Sequence, residues 1–249
     1  MAIFDRFETI APAADRLMPN DTFVIVTVHN EAERIGATLA TLARGFPGAP
    51  LWVADDGSTD ATAEIARAGG ARVVASGRVI GKGGAATLAA HEALESRGAG
   101  ADGGDARAVC LLCDGDLGGS AAALVSLAEA VHSGETDMAV AMFAKRVGGG
   151  LGLAVSFARW AIRRRCGLGT RAPISGQRAL RVGVLRDVLP FAHGFGMEVG
   201  MTIDAVRAGH SVSEIELELT HRATGRTPAG FAHRAHQLID FIRAYLARR

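Results

Sequence analysis

The stretch Leu111-Leu112-Cys113-Asp114-Gly115-Asp116 decides how the rest of the chain is interpreted, because a short apolar run ends there in two carboxylates. A run of four to eight apolar residues predicts a buried strand. Residues two apart in an extended chain face the same side, so Asp114 and Asp116 are expected side by side, with Gly115 leaving room for a ligand. Such a pair suits Mg²⁺ or Mn²⁺, although a polar turn that caps the next helix would also explain it.

Short apolar runs alternate with segments of helical periodicity from residue 22 to residue 143. This alternation predicts right-handed strand–helix–strand crossovers, and hence an α/β fold with a mainly parallel sheet and flanking helices. Ligands bind such sheets beyond the carboxyl ends of the strands. The polar motifs stand at those ends: His29-Asn30-Glu31, Asp55-Asp56, Gly81-Lys82-Gly83 and Asp114-Gly115-Asp116. Their clustering predicts an active site at this edge of the sheet.

The same patterns give approximate bounds for the elements. We predict strands at 22–28, 51–54, 72–75, 108–113, 137–143 and 212–219, and helices at 60–68, 84–95, 120–132, 153–165, 197–208 and 231–246. Asn30 is expected to cap a further helix, with Glu33 completing a capping box. Residues 1–20 are interpreted as a helix or arm, and residues 98–106 and 145–152 as glycine-rich loops.

Two motifs before residue 100 carry candidate ligand contacts. Asp56 could serve only in a turn, but a carboxylate just past a buried strand can also accept from a nucleobase or a ribose hydroxyl. The loop before Lys82 resembles a P-loop only superficially. It is not one, because its spacing is one residue short and no Ser or Thr follows Lys82. A dinucleotide-binding loop is excluded because no glycine cluster follows the first strand. A Gly-Lys-Gly segment that opens a helix can still hold a phosphate or a nucleobase.

The composition excludes several classes of protein. A net charge of +1 over 249 residues excludes a polyanion binder by bulk electrostatics, so no nucleic-acid partner is expected. No run reaches the roughly 18–20 apolar residues that span a bilayer, and the N-terminus lacks the pattern of a secretory signal, so we expect a cytoplasmic location. Cys110 and Cys113 lie three apart on a strand, which turns them to opposite faces and favours buried thiols over a redox or zinc pair.

Five motifs, in chain order, resemble those of family 2 glycosyltransferases, which share the GT-A fold. They are Val26-Thr27-Val28-His29-Asn30-Glu31, Val53-Ala54-Asp55-Asp56-Gly57-Ser58-Thr59-Asp60, Gly81-Lys82-Gly83-Gly84-Ala85, Asp114-Gly115-Asp116 and Ile174-Ser175-Gly176-Gln177-Arg178-Ala179-Leu180. They cover most of residues 22–222, with His29 in place of the usual Tyr. The resemblance implies a Rossmann-like, metal-dependent transferase that uses a nucleotide-diphospho-sugar, with a UDP-sugar expected first and a GDP-sugar next.

The resemblance also implies residues for the donor and the metal. The donor contacts would be Val28, His29, Asn30, Glu31, Asp56, Gly81, Lys82, Asp114 and Gly115. Asp114 and Asp116 are predicted to hold Mg²⁺ or Mn²⁺, which would neutralise the departing nucleoside diphosphate. A likeness of Gly194-Phe195-Gly196-Met197-Glu198-Val199-Gly200 and His221-Arg222 to glucosyl-3-phosphoglycerate synthases implies that His221 completes this metal site.

Two subgroups of the family compete for the acceptor. The Gly-Lys-Gly and Ser-Gly-Gln-Arg stretches resemble polyprenyl- or dolichol-phosphate sugar transferases, whereas the likeness just given favours phosphoglycerate enzymes. Both imply an anionic acceptor, either a small molecule or a lipid phosphate. Family 2 favours inversion and the phosphoglycerate enzymes favour retention, so the stereochemistry stays open. The predicted acceptor contacts are Ser175, Gly176, Gln177, Arg178, Arg222 and Arg226.

Glu198 and Asp116 are the predicted catalytic residues. Glu198 opens a helix, where it could position the sugar or the acceptor, or accept the proton of the acceptor. A carboxylate at a helix N-terminus is also favoured by the helix dipole alone. Residues 1–249 are expected to form a single GT-A domain, in which residues 22–143 bind the nucleotide-sugar and residues 144–249 bind the acceptor.

Some features leave alternatives open. Arg163-Arg164-Arg165 could be a solvated helix end or a peripheral contact with an anionic membrane, because the same segment is apolar at Leu151, Leu153, Val155, Phe157, Trp160 and Ile162. A homodimer is open as well. A sugar-phosphate nucleotidyltransferase would normally need a glycine-rich loop after the first strand, where His29 stands. A catalytically inactive nucleotide-sugar-binding protein is disfavoured because both aspartates are present.

Overall fold

The computed structural model describes residues 21–98, 108–144, 152–219 and 228–249. The strands are β1 Thr22–Val28, β2 Leu51–Asp55, β3 Arg72–Ala75, β4 Val109–Asp114, β5 Met138–Phe143, β6 Arg178–Arg181 and β7 Val212–Leu217. The α-helices are α1 Ile35–Gly45, α2 Thr62–Ala68, α3 Lys82–Ser96, α4 Val125–His132, α5 Leu153–Cys166, α6 Val182–Val188, α7 Met197–Arg207 and α8 Pro228–Ala247. Two 3₁₀ segments, Gly118–Leu124 and Gly194–Gly196, precede α4 and α7.

The seven described strands form one sheet in the order β3–β2–β1–β4–β6–β5–β7. All neighbouring pairs are parallel except those of β6, which runs antiparallel between β4 and β5. The predicted α/β fold with a mixed, mainly parallel sheet is therefore confirmed. The sequence did not predict β6 or α6, because four residues with an arginine at each end show no clear periodicity.

Apolar side chains cover both faces of the sheet. Strand residues alternate between the faces, so Val24 of β1 packs towards α1, α2 and α4, while Ile25 packs towards α3, α6 and α7. Cys113 and Cys110 are buried on these two opposite faces as free thiols, as predicted. A third cluster joins α5, α7 and α8. α7 thus lies between the sheet and an outer helical layer.

The predicted capping box at Asn30 and Glu33 is wrong. The helix begins later, at Ile35, and has no side-chain cap. Asn30 instead adopts a φ of 55°, in the left-handed region that Asn tolerates, and its side-chain oxygen accepts a hydrogen bond from the Thr59 backbone N–H at 2.8 Å. A partner distant in sequence therefore displaced the local cap.

Several predicted features lie partly or wholly outside the described residues. They are the N-terminal segment 1–20, most of the two glycine-rich loops, and His221, Arg222 and Arg226. The division into halves at residues 143 and 144 stays a prediction, although strands from both sides share one sheet. No helix in the described part of the chain combines the length and apolar character needed to cross a membrane.

Gly83 provides a test of how closely α3 packs. A methyl group at Gly83 would overlap the backbone carbonyl oxygen of Ala192, which cannot move without distorting its own segment. We expect Gly83→Ala to lower the free energy of unfolding by about 1–3 kcal/mol, although Ala is the better helix former. Urea unfolding measures this change.

The matched control for this substitution is Gly183→Ala in α6. Nothing lies within 4 Å of the methyl group that it adds. The control is therefore expected to leave stability unchanged or to raise it by up to about 1 kcal/mol. Equal destabilisation by the two substitutions would contradict the packing argument.

Candidate active site

The carboxyl ends of β1, β2 and β4 lie side by side. The register pairs Val28 with Asp55 and Thr27 with Asp114. One residue further on, the backbone N–H of Asp56 donates to the Val28 carbonyl at 3.0 Å. The polar residues that follow these parallel strands therefore share one edge of the sheet, as the sequence predicted.

Lys82, the first residue of α3, joins two carboxylates at this edge. Its Nζ lies 2.6 Å from Oδ1 of Asp114 and 2.7 Å from Oε1 of Glu198. Burial alone lowers the pKa of Lys82, but the charges of Asp114 and Glu198 outweigh this effect and raise the pKa above its ordinary value. Lys82 is therefore a fixed positive charge at neutral pH, and its side chain is still 20% exposed.

Asp114 accepts hydrogen bonds on both carboxylate oxygens. The Thr27 hydroxyl donates to Oδ1 at 3.1 Å, and Nε2 of Gln177 donates to Oδ2 at 2.8 Å. Burial raises the pKa of Asp114, but Lys82 and these donors together lower it below its usual range. The carboxylate is therefore ionised and held in one orientation. Its additional role as a metal ligand stays a prediction.

Sequence reasoning missed Thr27 as part of this site. Its side chain lies in a strand whose other residues are buried, and its hydroxyl also donates to the Cys113 carbonyl at 3.4 Å. A single hydroxyl within an otherwise apolar strand end was the available signal, because a buried polar group needs a partner.

The loop before β6 reaches the same edge because β6 is antiparallel to β4. The register pairs Arg178 with Leu112, so Ser175, Gly176 and Gln177 lie beside the end of β4. A side chain at Gly176 would place its Cβ 2.5 Å from Nζ of Lys82. Glycine at this position therefore allows the loop to close over the ion pair.

Arg178 supports the site from within the protein interior, where its side chain is only 1% exposed. Its Nε donates to the Ser175 carbonyl at 2.9 Å, and its Nη1 donates to the Thr202 hydroxyl at 2.9 Å. Burial lowers the pKa of Arg178 to about 10, against the charges of Glu198 and Glu214, so it stays protonated at neutral pH. The predicted contact of Arg178 with the acceptor stays a prediction, and the contacts that the structure shows make Arg178 a positioning residue for the loop before β6.

Asp56 shapes the loop that carries Lys82. Its Oδ1 accepts from the backbone N–H groups of Ile80 and Gly81 at 2.6 and 2.9 Å. The ring of His29 is tied to the same place, with Nδ1 2.8 Å from the Asp56 carbonyl oxygen. The predicted contact of Asp56 with a base or a ribose stays a prediction, and its structural role is to fix the start of α3.

The residues after β1 lie on the exposed side of the edge. His29 and Asn30 are exposed, and Glu31 is half-buried. The backbone N–H of Asn30 donates to the Ser58 hydroxyl at 2.9 Å, and that of Glu31 donates to the Thr62 hydroxyl at 2.8 Å. These bonds join the loops after β1 and β2 and hold in place the surface that a ligand at this edge would contact.

Packing gives a reason for glycine at position 115. A Cβ at this position would lie 2.5 Å from Cγ1 of Val28, which is 4% exposed. The absence of a side chain therefore lets the turn pack against β1. The predicted room for a ligand at Gly115, and the predicted contacts of Val28 and Gly115 with the nucleotide-sugar, stay predictions.

The predicted ligands of a metal ion within the described residues are Asp116 and Asp114, whose carboxylate is already bonded to Lys82. Asp116 is half-buried, two residues beyond its neighbour. The described residues contain no group of three or more His, Cys, Asp or Glu side chains that could hold an ion, and His221 lies outside them. Mg²⁺ is commonly bound by one or two carboxylates together with water and substrate phosphates. The residues present therefore fit a cation that a bound diphosphate would help to hold.

This fold and this edge of charged residues define a GT-A type of sugar transferase, a Rossmann-like α/β enzyme. The chain belongs to glycosyl transferase family 2, whose family model matches residues 23–187. No curated relative matches the chain by sequence. The resemblance to this family is confirmed, and the protein is a glycosyltransferase.

Solved structures of glucosyl-3-phosphoglycerate synthase from Mycobacterium tuberculosis are similar to this chain. Its complex with phosphoglyceric acid is 26% identical, with a TM-score of 0.69 over 91% of this chain and 79% of that one. Its complex with Mn²⁺, UDP-glucose and glycerol 3-phosphate is 25% identical, with a TM-score of 0.68 over 90% and 79%. Its complex with Mg²⁺ and UDP is 26% identical, with a TM-score of 0.68 over 90% and 78%.

Gly176→Ala tests whether the ion pair controls activity. The added methyl group would crowd the flexible end of Lys82 and lie 2.8 Å from Oδ2 of Asp114. Because Lys82 can move aside, we expect little loss of stability, but a loss of kcat/KM on the order of 100-fold from the displaced charge. Urea unfolding and steady-state kinetics of the variant measure the two effects separately. A variant with unchanged kinetics would contradict this role of the ion pair.

Arg178→Met tests whether Arg178 positions the loop before β6 or contacts the acceptor directly. The substitution leaves the Ser175 carbonyl and the Thr202 hydroxyl without their donor, and we expect it to lower kcat while both KM values change little. Each unpaired buried group also costs about 1–3 kcal/mol of stability. Thr202→Val removes the bonds of this hydroxyl with Arg178 and with the Glu198 carbonyl but leaves the bond from Arg178 to the Ser175 carbonyl. It is the matched control and should have a smaller effect on kcat. A raised acceptor KM at constant kcat would instead restore the direct contact.

Proposed function

We propose that this chain transfers a hexosyl group from a UDP-sugar to a phosphate-bearing acceptor, with Mg²⁺ or Mn²⁺ as the required ion. The observation that carries the proposal is Lys82, held between Asp114 and Glu198 at the carboxyl edge of the sheet. It is supported by the similar solved structures, which contain UDP-glucose, these ions and the phosphate-bearing molecules glycerol 3-phosphate and phosphoglyceric acid.

The proposed donor lies along the edge formed by β1, β2 and β4. The first turn of α3 presents backbone N–H groups and the charge of Lys82 to this edge, which together favour a diphosphate. The loops after β1 and β2, with His29 and Asp56, would hold the nucleoside. Asp116, with Asp114 as the second predicted ligand, would hold a divalent ion, which when bound would neutralise the charge of the leaving diphosphate. UDP is the first expectation and GDP the second.

Glu198 would orient the sugar or the acceptor. Its side chain is 6% exposed in the first turn of α7, and its Oε1 is held by Lys82. An oriented carboxylate of this kind can accept a hydrogen bond from a sugar hydroxyl. Positioning is therefore the role that we propose, rather than transfer of a proton. The anomeric configuration of the product will show whether transfer proceeds with inversion or with retention.

The proposed acceptor carries a phosphate or another anion. Ser175 and Gln177 stand beside the ion pair, and Arg222 and Arg226 are the cations predicted for its charged group. A small phosphorylated acid such as phosphoglycerate is the first expectation, because such molecules occupy the similar structures. A polyprenyl phosphate is the second, from the Gly-Lys-Gly and Ser-Gly-Gln-Arg stretches.

Sugar transfer and donor binding test this proposal together. Calorimetric titration with UDP and with GDP, in the presence and absence of Mn²⁺, is expected to show tight binding only for UDP with the ion. Asp116→Asn should abolish the effect of Mn²⁺ on UDP binding. Lys82→Gln should weaken UDP binding both with and without the ion, because in this proposal Lys82 contacts the diphosphate directly.

The acceptor is tested in the same experiment by product formation. UDP-glucose is offered with 3-phosphoglycerate, glycerol 3-phosphate or a short-chain polyprenyl phosphate, and product analysis also gives the anomeric configuration. Arg67→Gln, at an exposed position on α2, is the control for loss of a charge far from the site. The absence of metal-dependent binding to any nucleoside diphosphate would overturn the proposed function.

A further inference from the structure

Exposed apolar side chains are concentrated on two neighbouring helices. Seven large apolar residues are exposed in the described part of the chain, and five of them lie on α5 and α8. The five are Leu153, Trp160, Ile239, Ile242 and Leu246, with exposed fractions of 66%, 50%, 47%, 37% and 44%. Single exposed apolar residues are ordinary, but a concentration of this kind marks an interaction surface.

Ring contacts join the two helices into one surface. The ring centroid of Trp160 on α5 lies 5.0 Å from that of Tyr245 on α8, and Phe157 lies 5.5 Å from Trp160. We define the α5–α8 face by the following residues: Leu153, Phe157, Trp160, Ile239, Ile242, Tyr245 and Leu246. The opposite sides of both helices already pack against α7, so this face is additional to the core.

The structure corrects the sequence-based description of this segment. Ile162 was grouped with the apolar residues of the candidate membrane contact, but it is fully buried against α7. The spacing of Leu153, Phe157, Trp160 and Arg164 instead follows one outer stripe of the helix. Leu151 lies outside the described residues.

Exposed arginines accompany this face on both helices, and neither α5 nor residues 237–249 carry an exposed carboxylate side chain. On α5, Arg159, Arg163 and Arg164 are exposed, and the guanidinium of Arg165 lies 3.7 Å from the centre of the Tyr245 ring. On α8, the side chain of Arg243 is 65% exposed. Within α5 and residues 237–249 there is one carboxylate, Asp240, and it is buried, where it accepts the backbone N–H of Phe195.

We propose that the α5–α8 face docks on an anionic lipid surface. Aromatic rings with arginines beside them suit the boundary between headgroups and acyl chains, where the rings stay at the headgroup level and the cations meet phosphates. A symmetric pairing of two copies through this face would place like charges opposite one another, which disfavours a second copy as the occupant. The proposal rests on this charge and exposure, and does not depend on the identity of the acceptor.

Sedimentation with lipid vesicles tests the proposal. The full chain is mixed with vesicles of phosphatidylcholine alone, or of phosphatidylcholine with phosphatidylglycerol, and we expect binding only to the second kind. Replacement of both Arg163 and Arg164 by Gln should weaken binding about fivefold for each charge removed. Trp160→Ser should weaken it through the loss of the aromatic anchor. Binding should also fall as salt is raised.

Matched substitutions elsewhere on the surface make the test specific. Leu88→Ser removes an exposed apolar side chain from α3, and Arg67→Gln removes an exposed charge from α2; both should leave vesicle binding unchanged. Urea unfolding confirms that each variant is folded. The proposal is overturned if the wild-type chain does not bind anionic vesicles, or if the control and the test variants bind them equally well. It is also overturned if Trp160→Ser abolishes a dimer in light scattering while vesicles do not bind, because the face would then join two copies.

Discussion

The charge of Lys82 between two carboxylates is the interaction on which the candidate site depends. It connects α3, β4 and α7, and the residues that it joins are as much as 116 positions apart in the sequence. Removing three charges from water is costly unless they are closely paired and further hydrogen bonded. Thr27 and Gln177 supply those further bonds to Asp114. The two ion pairs of Lys82 are thus a consequence of the fold, and they also fix the relative positions of three of its elements.

The antiparallel direction of β6 brings a second segment of the chain, the loop that precedes this strand, to the candidate site. A parallel strand in the same place would begin at the opposite edge of the sheet, and the residues before it would be far from Asp114. Because β6 runs the other way, the loop that precedes it meets the end of β4, and Arg178 anchors that loop by the Ser175 carbonyl. Gly176 then lies so close to Lys82 that any side chain there would displace the Lys82 ammonium group. The reversal of one short strand therefore brings the loop that precedes β6 to the edge that carries Asp114 and Lys82.

The sequence predicted the parts of the site that follow from local rules. Apolar runs that end in polar residues correctly located Asp114 and Lys82 at one edge, because parallel strands end together. The contact between Lys82 and Glu198 could not be predicted, since it depends on how α7 returns to the sheet. Arg178 was predicted as an acceptor contact from the resemblance of its motif, and only the structure shows the carbonyl and the hydroxyl that this buried side chain binds. Asn30 failed as a cap for a related reason, since Thr59 offered it a tertiary partner.

α7 links the chemistry at the edge of the sheet to the outer surface of the protein. One side of this helix packs on the sheet through Met197 and Met201, and the other packs on α5 and α8 through Val199 and Ile203. Its first turn carries Glu198, and the side chains on either side of this residue pack on the sheet and on the outer helices. Because a close-packed layer leaves little freedom to the helix that it holds, α7 fixes the position of the carboxylate that binds Lys82. The helical layer that completes the core therefore also orients one of the two carboxylates of the site.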